Sequence, residues 1–429
     1  MELSDTILAR AERFVSSNFS RLKRPRIQKM KMAFIFILTY LCFFAPVHQA
    51  QPPSATISDL SLKNMDFAMN LYRRISTYHD KNIFFSPLSI STSFAALLMA
   101  SDGVTREEIL KGLNLEQLEK EDQPELIPEL FQLLHENITQ NGSLQLDQGM
   151  ALFMRQQFGI QKTFKDQMKT FFNADITTVD FADTERSISL INDYIKQKTQ
   201  GKVSEMLSGL NELTQLLLVS TIFFQGAWEM PFNPNFTENA AFYIDNYNIV
   251  QVPMMFKEDK FYTTEDVRLG ARVLNLPYRE GVSMLILLPN KDKDYTEIEE
   301  EITAQKFQNW IKKLQKTKLE VNMPKFKMER SYSLHTILPD MGITSIFSES
   351  ANLTRLSKDG FFKVSEVLHK AVIEVDETGT TAAAATTIGI IPYSLPRTFT
   401  VNRPFFFFIY HEDTSSLLFM GRVIDPTKN

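Results

Sequence analysis

The side chains of this 429-residue chain that could do chemistry are scattered rather than clustered. Beyond residue 50 the histidines are His79, His135, His335, His369 and His411, none at metal-ligand or nucleophile–base spacing from another. No G-x-S-x-G turn, H-E-x-x-H helix or phosphate-cradling glycine loop occurs. The single cysteine, Cys42, lies in an apolar N-terminal stretch, which excludes disulfides and thiol catalysis beyond residue 50. The chain is therefore read as not that of an enzyme, and no metal site is expected.

The most unusual segment is Gly379 to Pro396. It opens with nine small residues, Gly379 to Thr387, and ends at Tyr393-Ser394 between Pro392 and Pro396. Composition alone fits a flexible linker or a short alanine helix. Threonines flank the alanines, however, and a plain linker would rarely expose Ile390 and Ile391. A segment that leaves the surface to become the central strand of a filled sheet needs small side chains at alternate, inward-facing positions. Thr380, Ala382, Ala384 and Thr386 meet that need, whereas a charged residue at any of them would be buried unpaired at a cost of several kcal/mol.

The elements that would receive such a strand come earlier in the chain. Apolar spacings of three and four (Phe67, Leu71, Ile75, then Phe94 to Met99) predict helices from Leu62 to Leu118. Ser86-Pro87 is a cap followed by proline in the first turn, which starts a buried helix after Ile83-Phe84-Phe85. Asn192 to Leu207 reads as an amphipathic helix interrupted at Gly201. From Leu216 the character changes: Leu216 to Phe224 is an apolar, β-rich run suited to a strand buried on both faces. Further strands are predicted at Arg272 to Leu276, Val282 to Leu288, Leu319 to Val321, Phe362 to Val364, Ala371 to Val375, Phe399 to Tyr410 and Leu417 to Val423. No linker separates the two halves, so one α+β domain from about residue 55 to 429 is expected.

A formal charge of −5, from 46 basic and 51 acidic residues, argues against nucleic acid as the main partner. The apolar stretch Ala33 to Ala45, after Lys29 and Lys31 and before Pro46 and Ala50, is too short to span a membrane and reads as a signal peptide over residues 30–50. Residues 1–29 are then an upstream extension, since Met30 or Met32 could start translation, and 51–429 form the functional domain. N-glycosylation acceptor triplets at Asn137, Asn141, Asn235 and Asn352 support secretion to the extracellular space.

Several landmarks together resemble one family. Asn82 to Ser89, Asn192 to Lys196 with Thr199 to Lys202, Phe223 to Trp228 with Pro231-Phe232, Val252 to Met255 and Arg403 to Phe405 resemble serpins, in serpin order, and the segment from Gly379 to Tyr393 has the serpin length of fifteen residues. The resemblance covers residues 60–429 and is to the secreted alpha-1-antitrypsin-like clade. It implies an α+β fold with about nine helices, three β-sheets and an exposed reactive-centre loop at about 379–397. It also implies a suicide-substrate mechanism: a target serine protease attacks Tyr393, and the loop inserts into the large sheet. By the same resemblance Tyr393 and Ser394 form the reactive bond and Gly379, Thr380, Thr381, Ala382, Ala383, Ala384, Ala385 and Thr386 the hinge. Ser86, Ser89 and His369 fall where the sheet parts, and Trp228, Lys325 and Glu377 at its top. Two departures stand out: Thr381 replaces the usual glutamate, and Ser220 an asparagine often found opposite the His369 position.

Tyr393 ahead of the bond would select a chymotrypsin-like protease, whose primary pocket is an apolar slot. Yet Tyr393 to Pro396, Val372 to Gly379, Val401 to Phe405, Ile409 to Glu412, Gly421 to Thr427, Leu319 to Lys327 and Val252 to Met255 are similar to serpins that control coagulation factor Xa. That similarity implies the cofactor protein Z, calcium and phospholipid, with no cofactor bound by this chain itself and a membrane engaged only through protein Z; the chain would act as a monomer. The acidic run Asp294 to Glu301, before Phe307 and Trp310, falls at the cofactor surface, with Glu300 as candidate contact. Glu125 to Glu136 is acidic where heparin-activated serpins are basic. Two other expectations stay open: a cofactor-independent inhibitor of chymotrypsin-like proteases, and a non-inhibitory hormone carrier, against which the hinge argues.

Overall fold

A computed structural model describes residues 55–140, 145–203, 205–358, 362–378 and 397–428. The upstream extension, the signal peptide and the segment from Gly379 to Pro396, with all hinge residues and the Tyr393-Ser394 bond, lie outside the described residues, as does Asn141.

The helices come first. α1 (Ile57–Tyr78) starts in a capping box: the Thr56 hydroxyl accepts from the Asp59 amide at 3.3 Å while the Asp59 carboxylate accepts from the Thr56 amide at 2.8 Å. Phe67, Leu71 and Ile75 are buried at the spacing the sequence predicts. After β1 (Ile83–Phe85), α2 (Pro87–Ala100) is capped by Ser86 with Pro87 in its first turn, and only Thr92 is not buried. α3 (Gly103–Gly112), α4 (Leu126–Thr139), β2 (Gln145–Arg155), α5 (Lys162–Phe172), β3 (Asp175–Val179) and α6 (Thr184–Lys198) follow.

The second half is mostly strands: β4 (Leu216–Gln225), β5 (Glu238–Tyr243), β6 (Ile249–Asp266), β7 (Ala271–Pro277) and β8 (Val282–Pro289). Two helices, α7 (Tyr295–Glu301) and α8 (Ala304–Lys313), precede β9 (Gln315–Pro324), β10 (Phe326–Ser333), β11 (Val364–Val375), β12 (Arg397–Thr400), β13 (Phe405–His411) and β14 (Ser416–Val423). One sheet has five strands in the order β10-β11-β4-β2-β3; the other has nine, along β1-β14-β13-β8-β7-β6-β9-β12 with β5 on β6.

The expected α+β architecture is present, counted differently. The 18-residue β6 pairs with β5 over its first third and with β7 over its last, so two expected sheets form one continuous ladder and two sheets stand where three were expected. Among the described residues there are eight α-helices rather than nine. Leu334–Thr336 and Leu338–Met341 form only 3₁₀ turns, in which Pro339 lacks the amide a longer helix needs and Gly342 closes the turn at φ +85°.

Other boundaries shift for local reasons. The helix expected over Asn192 to Leu207 starts at Thr184, under an Asp183 cap, and ends at Lys198, because Gln200 and Gly201 take positive φ. The following strap folds back and is pinned when the Asn192 side chain accepts from the Met206 and Leu207 amides at 2.9 and 3.0 Å. In place of separate strands at Phe362 to Val364 and Ala371 to Val375 there is one, which starts only at Val364 and runs to Val375 through the buried pair His369-Lys370. The run from Phe399 to Tyr410 is broken between Thr400 and Phe405, where the Arg403 guanidinium turns to donate to the Pro289 carbonyl at 2.7 Å.

β4 explains why the five-stranded sheet is buried. Leu216, Leu218, Ile222 and Phe224 join the main core, while Leu217, Val219 and Phe223 join a second core beneath Ile191 and Ile195 of α6.

Candidate functional site

The centre of the five-stranded sheet holds a parallel pair, β11 against β4, in register from Glu366–Leu217 to Ile373–Phe224 after a bulge at Val364. Parallel ladders are slightly weaker per residue than antiparallel ones. A chain leaving the end of β11 and folding back would run antiparallel to β11 and, because β4 points the same way, to β4 as well. A strand placed between the two would therefore pair antiparallel with both, and in sequence the segment that follows β11 begins with the small residues named above.

Midway along the pair lies a buried polar cluster. The His369 ring is fully enclosed: Nε2 accepts from the Ser86 amide at 3.1 Å, so Nδ1 carries the proton and points at Ser220 Oγ, 3.3 Å away on β4. Ser220 shares a 2.7 Å hydrogen bond with Ser89, and the Ser86 hydroxyl accepts from the Ser89 amide at 3.1 Å and donates to the Leu418 carbonyl at 2.7 Å. Burial drives the His369 pKa down to about 3, so the imidazole is neutral. The structure therefore brings Ser86, Ser89, Ser220 and His369 together across the seam. Ser220, short as it is, still bridges it.

A second cluster sits at the end of β11. Trp228 is buried and stacks on Tyr278 with ring centroids 4.0 Å apart; its indole NH donates to the Asp376 carbonyl at 2.8 Å. The Glu377 carboxylate accepts from Lys325 at 2.6 Å and from the Thr237 hydroxyl at 2.7 Å, and its backbone carbonyl accepts from the Phe232 amide at 2.9 Å. Burial alone would raise the Glu377 pKa, but the Lys325 and Thr237 bonds outweigh it and hold it below the usual value. Glu377 is only 7% exposed, so the pair with Lys325 is not the solvated surface pair that composition allows. Tyr278 and Thr237 were invisible as partners from sequence; Thr237 shows there only as the third residue of the Asn235 triplet.

The remaining candidates are dispersed. Glu300 is exposed on α7, yet the run around it is not uniformly solvated: Glu299 is buried, accepting from the Tyr72 hydroxyl and from Arg422 at 2.5 Å. Phe307 and Trp310 pack in the core, the Trp310 indole donating to Asp266 at 2.8 Å. Asn137 on α4 and Asn235 in the 3₁₀ turn Pro234–Phe236 are exposed, while Asn352 is half-buried with its side-chain oxygen accepting from Thr354. Among the described residues no cluster of metal-ligating side chains occurs.

The parallel seam is thus followed in sequence by the small-residue segment from Gly379. A family model described as Serpin (serine protease inhibitor) matches residues 62–426, and the chain belongs to the serpin family. Protein Z-dependent protease inhibitor of Mus musculus is 38% identical over 369 residues, 86% of this chain and 82% of that protein. The crystal structure of the mouse protein Z-dependent protease inhibitor aligns at a TM-score of 0.81 and 37% identity, covering 86% of this chain and 98% of that one. Human thyroxine-binding globulin complexed with its hormone aligns at 0.81 and 32% identity, covering 87% and 100%.

The chain is a serpin protease inhibitor. The bare statement that it is not an enzyme is corrected by that membership: such an inhibitor enters its target's catalytic cycle as a suicide substrate, and lack of catalytic motifs does not describe its part in the reaction.

Proposed function

We propose that the chain is exported through the signal at residues 30–50, glycosylated on its acceptor asparagines and works in plasma as a monomeric suicide substrate cleaved at Tyr393-Ser394. The protease's serine oxygen attacks the Tyr393 carbonyl carbon, the bond to the Ser394 nitrogen breaks, and the leaving amine takes its proton from the protease's imidazolium. While the acyl ester persists, Thr380, Ala382, Ala384 and Thr386 enter the sheet between β11 and β4, pulling the protease along. About a dozen new backbone hydrogen bonds at ~1 kcal/mol net each supply on the order of ten kcal/mol for its deformation. The parallel seam leading straight into the small-residue segment is the observation that carries this reading.

The target we propose is factor Xa, with protein Z, calcium and phospholipid as cofactors and Glu300 at the protein Z contact. The similarity to protein Z-dependent protease inhibitors supports it, as does the bait: factor Xa prefers arginine, so a tyrosine loop needs a partner that raises the effective concentration on a surface. Tyr393 itself favours a second reading, cofactor-independent inhibition of a chymotrypsin-like protease. Inhibition rates against factor Xa, with and without protein Z and anionic vesicles in calcium, are compared with rates against chymotrypsin. Acceleration confined to factor Xa supports the first reading, and fast cofactor-free trapping of chymotrypsin replaces it. Thr380→Arg should turn either inhibitor into a substrate; an SDS-stable complex at undiminished yield refutes loop insertion.

A further inference from the structure

One cation at the edge of the five-stranded sheet lacks a counter-charge. Arg330 of β10 is half-buried and shares the face of the strand that sends Met328 and Tyr332 into the core. Its Nε and Nη2 are shut off from solvent and meet no hydrogen-bond acceptor among the described residues. Those two nitrogens form a single edge of the guanidinium, the edge whose parallel N–H groups suit two oxygens of one oxyanion.

The bland account is an arginine whose stem packs on the protein while its head stays in water. Here the nitrogens without a partner are the ones that water does not reach, and a buried donor left unpaired is unfavourable. The neighbours do not supply an acid. Arg422 takes Glu299 at 2.5 Å and spends its other donors on the His79 carbonyl at 2.5 Å and the Lys81 carbonyl at 3.1 Å, and Glu299 also accepts from the Tyr72 hydroxyl. Burial, Arg330 and Arg422 hold the His79 pKa below its usual value, and only the charge of Asp80 opposes them. His79 itself is exposed just past the end of α1. Its ring lies edge-on against Tyr332, with centroids 5.3 Å apart, and carries no side-chain hydrogen bond among the described residues. A ring held only by that contact can turn to admit an ion.

We propose that the Arg330 edge, with His79 as its cover, is a binding site for a small free tetrahedral oxyanion of the class of inorganic phosphate or sulfate. Two oxygens of the ion take the Nε and Nη2 protons, and the imidazolium closes over the remainder. The edge is too enclosed for such a group carried on a polymer. The strand is fixed there by Tyr332, whose hydroxyl accepts from the Phe84 amide at 3.2 Å and which lies directly opposite His369 in the β10–β11 register. Because a bound anion favours the charged ring, binding strengthens as pH falls through the titration of His79.

The test is isothermal titration calorimetry on the whole chain with sodium sulfate, whose charge is constant from about pH 5.5 to about pH 8, against sodium chloride at matched ionic strength. Sulfate should bind saturably and several-fold more tightly at the lower pH. Arg330→Gln should weaken it by roughly tenfold or more, since both charge and fork are lost. Arg330→Lys, which keeps the charge without the fork, should also weaken it and carries the comparison if the glutamine variant does not fold. His79→Gln should still bind sulfate but lose the pH dependence, and Arg74→Gln, on an exposed position of α1, should change neither. Sulfate binding no better than chloride, unchanged affinity in the Arg330 variants, an equal loss in Arg74→Gln, or a pH dependence that survives in His79→Gln would each overturn the proposal.

Discussion

His369 is the residue on which the seam turns, and its environment sets a pH dependence. In the folded chain burial keeps the ring neutral down to about pH 3, whereas an unfolded chain takes up the proton near pH 6.5. Between those values the unfolded state binds one more proton, so stability is complete above about pH 6.5 and falls as pH drops, by at most about 1.4 kcal/mol per unit from this group. Urea unfolding from pH 7 to pH 4 should show that slope, and His369→Gln, which keeps a polar side chain without a titration, should reduce it by close to one proton. An identical slope in the variant would mean that other groups dominate. Little of this was legible beforehand. A lone histidine carries no sign of burial; family resemblance alone singled out His369, and the long bond to Ser220 became visible only in the register of β11 on β4.

At the scale of elements, the sequence was clear where local chemistry decides. The Ser86-Pro87 start of α2 and the doubly buried β4 follow from capping and from an unbroken apolar run. It was silent where long-range packing decides: β11 holds His369 and Lys370 in its middle, a polar pair that interrupts any β pattern, yet Lys370 is buried, bonded to Glu329 at 2.6 Å and to the Glu205 carbonyl. The same limit hid the grip on the end of β11. Thr237→Val should lose the hydroxyl bond to Glu377, worth about 1 kcal/mol or somewhat more because the acceptor is charged, and hasten spontaneous loop insertion or polymerisation on warming. Asn235→Gln, which abolishes the same acceptor triplet but leaves the hydroxyl, should not. Rates followed by native gel electrophoresis distinguish the two, and indistinguishable variants would show that the bond to Glu377 does not restrain the loop.

For the whole molecule, the loop insertion proposed above would add a sixth strand to the five-stranded sheet. Filling the seam replaces one parallel contact by two antiparallel ones. Limited proteolysis at Tyr393 should therefore raise the melting temperature by on the order of 10–20 °C, taking ~1 kcal/mol per added bond over a chain of this size. Scanning calorimetry before and after cleavage checks it, and an unchanged midpoint would mean the cleaved segment stays outside. The architecture itself was readable from the order of helices and strands. The merging of sheets through β6 was not, because strand length is fixed by partners far away in sequence.

Position 237 answers to two readers. On the export and glycosylation proposed above, its hydroxyl completes the acceptor triplet Asn235-Phe236-Thr237, and in the finished fold the same hydroxyl is one of two side-chain donors on Glu377. Of the standard residues only serine could replace it and still serve both. On the export proposed above, a change at this position would thus meet two requirements at different times, one on the nascent chain and one on the folded chain, so a residue that satisfies the first is still exposed to the second.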